Sequence, residues 1–235
     1  YAQNYEDVIL NRIFQNKQKG IYIDIGAYHP YEKSVTCLFS KRGWTGINID
    51  LCRENISRFE MHRPQDINIC SAVGSKSCKE DFYVQRGTTR TTKDKDLGQA
   101  YKDRGVEVIV ESHNVSTLTE LLSKTDIKDI DFLSVDVEGS ELDVFSGLNF
   151  DIYRPTVILA EATYPETSIL NWEDWNYILE SAGYDCAYFD GLNRFYIQKN
   201  NSKLGDFFKV PPNYFDNFVR YENIINLLSD YSSKP

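Results

Sequence analysis

The sequence has no apolar run approaching the roughly 20 residues that span a bilayer, so no membrane-spanning segment is expected. Cations are scarce: 26 Lys and Arg stand against 35 Asp and Glu, a net charge of −9. A surface of that sign repels phosphate backbones, so nucleic acid is not expected as a partner. No N-P-P-Y-type tetrapeptide follows the fourth main strand, and VPPN at 210–213 lies in the tail. No C-x-x-C occurs among the cysteines at 37, 52, 70, 78 and 186, and their number is odd. They read as reduced thiols in a cytoplasmic setting, not as a disulfide frame or a zinc site. The dinucleotide fingerprint G-x-G-x-x-G is missing too. The opening YAQNYEDVILNRIF lacks the basic start and apolar stretch of a signal peptide. With no initiator Met, an attached further domain is an expectation.

What the chain does have is alternation. A helix is expected over Tyr5 to Lys17, with Glu6 and Asp7 in its first turn and Gly20 after it. IYIDIG (21–26) reads as a buried strand, and Ser34 as the cap of a helix through VTCLFSKR. GINID (46–50), a helix from Glu54 to Met61 and DINICSAVG (66–74) continue the series. DFYVQ (81–85) and VEVIVESHNV (106–115) look like strands, and the polar 86–105 segment between them like a mobile surface loop. DFLSVDVEG (131–139), a short helix, RPTVILAEAT (154–163) and the amphipathic NWEDWNYILESAGY follow. DCAYFD (185–190) and RFYIQ (194–198) are joined by DGLN, a hairpin connection. The tail reads as strand-like FFKV, Pro211-Pro212, and a helix near Tyr214 to Leu228.

Buried strands alternating with helices give an α/β fold: a parallel sheet covered on both faces. The tight turn makes the last strand antiparallel, seven main strands in all. The expected organisation is a catalytic domain over 1–200, and a C-terminal extension over 201–235 that packs on it.

Open α/β sheets bind ligands at the carboxyl ends of their strands. There the first strand delivers Asp24 and Gly26, and the second Asp50. An acid beside the first loop repels a pyrophosphate and suits an amino group or a sulfonium. Asp50 suits ribose hydroxyls. Ser71 and Ala72 sit where an adenine can lie. Asp136, Glu138 and Glu161 reach the same edge, and clustered carboxylates need a proton, a cation or a metal to share. His29 follows the first strand, and Asn193 and Arg194 precede the last. Each has a bland alternative, as a helix cap, a loop acid or a structural ion pair.

The stretches AQNYEDVIL, YIDIGAYHP, GWTGINID, DFLSVDVEG, RPTVILAEAT and DGLNRFY resemble the FkbM-type S-adenosylmethionine-dependent methyltransferases, over about Ala2 to Tyr196. The resemblance implies a class I methyltransferase, a Rossmann-like sheet of seven strands with the last antiparallel. It implies S-adenosyl-L-methionine as cofactor, with Asp24, Gly26 and Ala27 in the first motif. Asp50 would then hold the ribose, Ser71 and Ala72 border the adenine, and Gln3 and Ser34 neighbour the methionine end. Ser134 and Leu51 depart from the commoner Lys and Pro.

The expected activity is O-methylation of a sugar hydroxyl, on a nucleotide-activated sugar or a capsule or lipopolysaccharide glycan. The candidate base is Asp136 or Glu138, with His29 as competitor, and Asp136 with Glu161 offers a divalent-metal alternative. Glu161, Asn193, Arg194 and Arg90 are the candidate substrate residues, with Arg86 for phosphates. Polyketide tailoring, a NAD-dependent oxidoreductase and a noncatalytic cofactor-binding module remain as alternatives, as does a homo-oligomer.

Overall fold

The computed structural model describes residues 2–85, 91–165 and 167–218. Its main sheet is built from β1 (Ile21–Ile25), β2 (Thr45–Asp50), β3 (Ile67–Cys70), β8 (Phe132–Val135), β9 (Val157–Glu161), β10 (Tyr184–Phe189) and β11 (Asn193–Gln198). Their order is β10-β11-β9-β8-β1-β2-β3. β1, β2, β3, β8 and β9 pair in parallel, whereas β11 is antiparallel to both its neighbours. The sheet is therefore the expected one, seven strands with the last reversed.

Period-two alternation sorts the side chains between two cores. Ile23, Ile25, Leu133, Val135, Ile158 and Ala160 face α5 (Leu118–Ser123), α6 (Glu141–Ser146) and α7 (Glu173–Ser181), through Leu122, Phe145 and Trp175. Tyr22, Phe132, Val157 and Leu159 face α1 (Glu6–Phe14) and α2 (Cys37–Lys41), through Ile9, Phe14 and Phe39. Both faces of each central strand are apolar, which is why these strands read as unbroken hydrophobic runs. α3 (Arg53–His62) connects β2 to β3.

DINICSAVG divides in two. β3 ends at Cys70, and β4 (Ala72–Val73) joins a second sheet, β4-β7-β5-β6, with β5 (Cys78–Val84), β6 (Thr91–Thr92) and β7 (Ile109–Ser116). The division falls at Ser71, whose N–H is held by the Asp50 carbonyl (3.0 Å). The segment expected as a loop carries β6 and α4 (Lys95–Asp103). Asp94 caps that helix at the N–H groups of Asp96 and Leu97, and Tyr101 is buried beneath it. Residues 86–90, with Arg86 and Arg90, lie outside the described residues.

FFKV is not a strand: Lys199–Phe208 forms 3₁₀ turns, and Phe208 packs into the core of the α1 face. Tyr214–Asp216 makes one further 3₁₀ turn, and the rest of the expected terminal helix, from 219 onward, lies outside the described residues. Among the described residues, no helix is long and apolar enough to cross a membrane.

Candidate active site

A cavity of about 690 Å³ opens at the carboxyl ends of the main-sheet strands. Its floor is the β1 loop, where Gly26 has a φ of +79°, in the left-handed region that favours glycine. A Cβ at Gly26 would stand 1.7 Å from the Asp136 carbonyl oxygen. The loop after β1 is thus wedged against the loop after β8, and this glycine is dictated by the neighbouring strand.

Asp24, Gly26, Ala27, Asp50, Ser71 and Ala72 all line the cavity, as do Asp136, Glu138 and Glu161. Gln3 reaches it from the segment before α1. Asp24 is buried and accepts a hydrogen bond from Thr36 Oγ1 (3.0 Å). Burial pushes its carboxyl up to about 6, and the charge of Asp136 adds to the rise. Asp50 accepts from the Tyr28 N–H (2.9 Å), the Cys52 N–H (2.7 Å) and Asn55 Nδ2 (3.2 Å). It therefore ties the β1 loop to the start of α3, a capping role, while still facing the cavity. Three bonds leave its carboxylate about one free lone-pair site.

Asp136 and Glu161 are hydrogen-bonded partners. Burial raises both, and the charge of Asp136 helps drive Glu161 to about 10. The hydrogen bond between them lowers Asp136 and raises Glu161, so it favours the proton on Glu161. Glu161 Oε2 is buried with no hydrogen-bond partner. Glu138 is in a left-handed turn (φ +53°) with Gly139 (φ +94°). That turn is held by Glu141 Oε1, which accepts from the N–H groups of Val137 (3.3 Å) and Gly139 (3.2 Å). Glu141 is buried, and burial pushes it up to about 7. The sequence reading missed it. Its signal was an acid in the first helical turn directly after a V-E-G-S loop.

Four expected residues are elsewhere. His29 does not line the cavity: its Nδ1 accepts the N–H groups of Tyr31 (3.2 Å) and Glu32 (3.0 Å) in the turn after Tyr28. Ser34 is buried between two lining residues without lining the cavity itself, bonded to Thr36 Oγ1 (3.2 Å) and Arg63 Nη2 (3.0 Å). It does not cap α2, whose first flanking residue is Thr36. Asn193 Nδ2 donates to Glu6 Oε1 (2.9 Å), fastening the last hairpin to α1. Arg194 lies over the Trp172 ring, 3.7 Å from its centroid. Neither Asn193 nor Arg194 lines the cavity, and Arg90 lies outside the described residues.

The second sheet closes one side of the cavity with Glu80, Phe82, Thr91 and Lys93, and the loop after β9 adds Thr163 and Ser168. Lys93 is paired with Asp143. Lys33 and Lys76 also line the cavity. Among the described residues, no three or more His, Cys, Asp or Glu stand together as a metal site.

The family model of the methyltransferase FkbM domain matches residues 24–186. The chain belongs to that family. It is an S-adenosylmethionine-dependent methyltransferase of FkbM type, on a class I sheet. Two solved structures are similar to it. One is a TehB-like SAM-dependent methyltransferase from Corynebacterium glutamicum, with 11% identity, 83% of this chain and 88% of that chain covered, and a TM-score of 0.44. The other is a precorrin-6y C5,15-methyltransferase from Geobacter metallireducens, with 14% identity, 84% and 88% covered, and a TM-score of 0.43. No curated protein matches the sequence.

The cavity of this FkbM-type methyltransferase fits its donor. Asp24, Asp136 and Glu161 are raised by burial with little compensating positive charge. A ligand bearing a sulfonium and an ammonium supplies that compensation.

Proposed function

We propose that this methyltransferase is an O-methyltransferase acting on a sugar hydroxyl. The observation that carries the reading is the Asp136–Glu161 pair, two buried and mutually hydrogen-bonded carboxyls that line the cavity. A neutral hydroxyl is a weak nucleophile, and a base that takes its proton in the transition state contributes typically 10²–10⁴-fold. Ionised Asp136 is that base, and protonated Glu161 holds it in orientation by donating a hydrogen bond. S-adenosylmethionine supplies the electrophilic methyl group when bound. Asp24 faces the donor's cationic end, Asp50 its ribose, and Ser71 and Ala72 its base; alignment of acceptor oxygen with methyl carbon supplies much of the remaining rate.

The acceptor enters between the second sheet and the loop after β9. Thr91, Thr163 and Ser168 offer hydroxyl partners for a sugar, Phe82 an apolar face, and Lys76 a cation for a phosphate of a nucleotide-activated sugar. The test is incubation with labelled S-adenosylmethionine and a panel of nucleotide sugars and glycan oligosaccharides, with and without chelator, read by mass spectrometry. Transfer to a sugar hydroxyl that survives chelation is expected. Asp136→Asn is expected to lower kcat by about 10²–10⁴-fold, with S-adenosylhomocysteine binding nearly intact. Near wild-type turnover in that variant removes Asp136 as the base, and methylation at nitrogen or carbon overturns the O-methyl reading.

A further inference from the structure

Arg63 is a buried arginine, 2% exposed at the end of α3, and the cavity does not include it. An arginine in such a place normally sits against a carboxylate, because a buried charge is costly unless paired. Its guanidinium instead bonds neutral oxygens: Thr36 Oγ1 (2.7 Å), Ser34 Oγ (3.0 Å) and the Pro30 carbonyl. The ring of Phe59 lies beneath it, 5.2 Å away. Thr36 is fully buried and passes the contact on, since its hydroxyl donates to Asp24 Oδ2 (3.0 Å). A hydroxyl has one proton, so the directions are fixed: Arg63 donates to Thr36, and Thr36 donates to Asp24.

We infer that Arg63 is a positioning residue for methyl-donor binding, acting through Thr36 to keep the Asp24 carboxylate ionised and aimed into the cavity. Ser34 buttresses the same guanidinium, which accounts for a buried serine that the cavity does not use. The inference rests on reading Asp24 as the partner of the donor's cationic end.

The alternatives around Asp24 are few. From β8 it meets the Ser134 hydroxyl and the like charge of Asp136. β2 presents Asn48 in register. Burial and Asp136 push the Asp24 carboxyl up, whereas Thr36, Arg63 and Ser134 pull it down. Removal of the relay therefore raises the Asp24 carboxyl further. Affinity for a cationic ligand is present when Asp24 is ionised, and is lost as pH falls through its pKa. A relay variant loses that affinity at a higher pH than the wild type.

The test measures S-adenosylhomocysteine binding by calorimetry from about pH 5.5 to 8.5 in wild type, Thr36→Val, Thr36→Ser and Arg63→Met, with thermal melts as the folding check. Thr36→Val keeps the volume, removes the hydroxyl and leaves Arg63 in place. It is expected to move the pH of half-maximal affinity upward by about one unit, equivalent to about ten-fold in proton affinity, while Thr36→Ser stays close to wild type. Arg63→Met is expected to shift in the same direction. A Thr36→Val profile that overlays the wild type overturns the relay. A wild type that binds with no pH dependence in this range also overturns it. A wild type that binds no S-adenosylhomocysteine at all overturns the donor reading itself, a different result from either.

Discussion

At the scale of single residues, the strand-end rule explains why much of the site was legible. Asp24, Asp50, Asp136 and Glu161 each lie within one residue of a strand's carboxyl end and all reach one cavity, because parallel strands deliver those ends to one edge. His29, Ser34, Asn193 and Arg194 do not line that cavity, for a related reason. Sequence position brings a residue near the edge without saying which neighbour takes its side chain. Asn193 is in register with Glu161, yet Glu6, 187 positions away, takes its amide. Arg194 follows it by one residue and so points to the other face of the sheet. Gly26 is the residue on which the geometry is strictest. Gly26→Ala is expected to cost about 1–3 kcal/mol of stability from the contact with Asp136, with about 1 kcal/mol more from the left-handed φ. It displaces the Asp136 loop at the same time, so loss of S-adenosylhomocysteine binding should accompany the lower urea midpoint. A variant as stable and as tight as wild type removes this reading of the glycine.

At the scale of elements, hydrophobic periodicity placed all seven main strands, and missed what polar capping builds. The α4 segment reads as loop in sequence because its exposed face is almost wholly polar; what makes it a helix is the Asp94 cap and the burial of Tyr101. The tail failed differently. FFKV has a strand composition, but Phe208 is claimed by the aromatic cluster of Tyr188 and Phe195, and turns deliver it there. The hairpin between β10 and β11 is fastened to α1 by Asn193 and Glu6, with Asn4 Nδ2 also donating to the Asp190 carbonyl (3.3 Å). Asn193→Ala leaves a buried Glu6 oxygen unmatched. It is expected to lower stability by about 1–3 kcal/mol in urea unfolding while leaving the acceptor KM within two-fold, about the scatter of such measurements. An acceptor KM raised about ten-fold with no change in stability would return Asn193 to the substrate.

At the scale of the whole molecule, the sum of buried acids sets how stability varies with pH. Burial pushes Glu6 and Glu141 up to about 7 and Asp7 and Asp24 up to about 6, with Glu161 higher still. A carboxyl raised in the folded state binds its proton more tightly there than in the unfolded chain. Its contribution is complete below the unfolded carboxylate range and is lost as pH rises through the folded value. Among the described residues, Asp216, held down by Arg12, and the exposed Glu120 run the other way below the usual carboxylate range, and His29, lowered by burial, opposes the trend as a single group against the several raised acids. The thermal midpoint of the ligand-free protein is therefore expected to fall as pH rises from about 5.5 to 8. Saturating S-adenosylhomocysteine should flatten that slope, since its ammonium favours ionised carboxylates. Scanning calorimetry checks both, and a midpoint that climbs with pH contradicts the assignment.

The second sheet leaves the main strand series where β4 begins, after Ser71, and returns to it where β7 runs into α5. On the proposed reading, Asp24 and Asp50 belong to the main ladder and Phe82 and Thr91 to the second, with Ala72 at the crossing between them. If the acceptor is bound as proposed, a swap of the β5–β6 segment changes which hydroxyl is methylated while the strand-end acids beneath keep the same transfer.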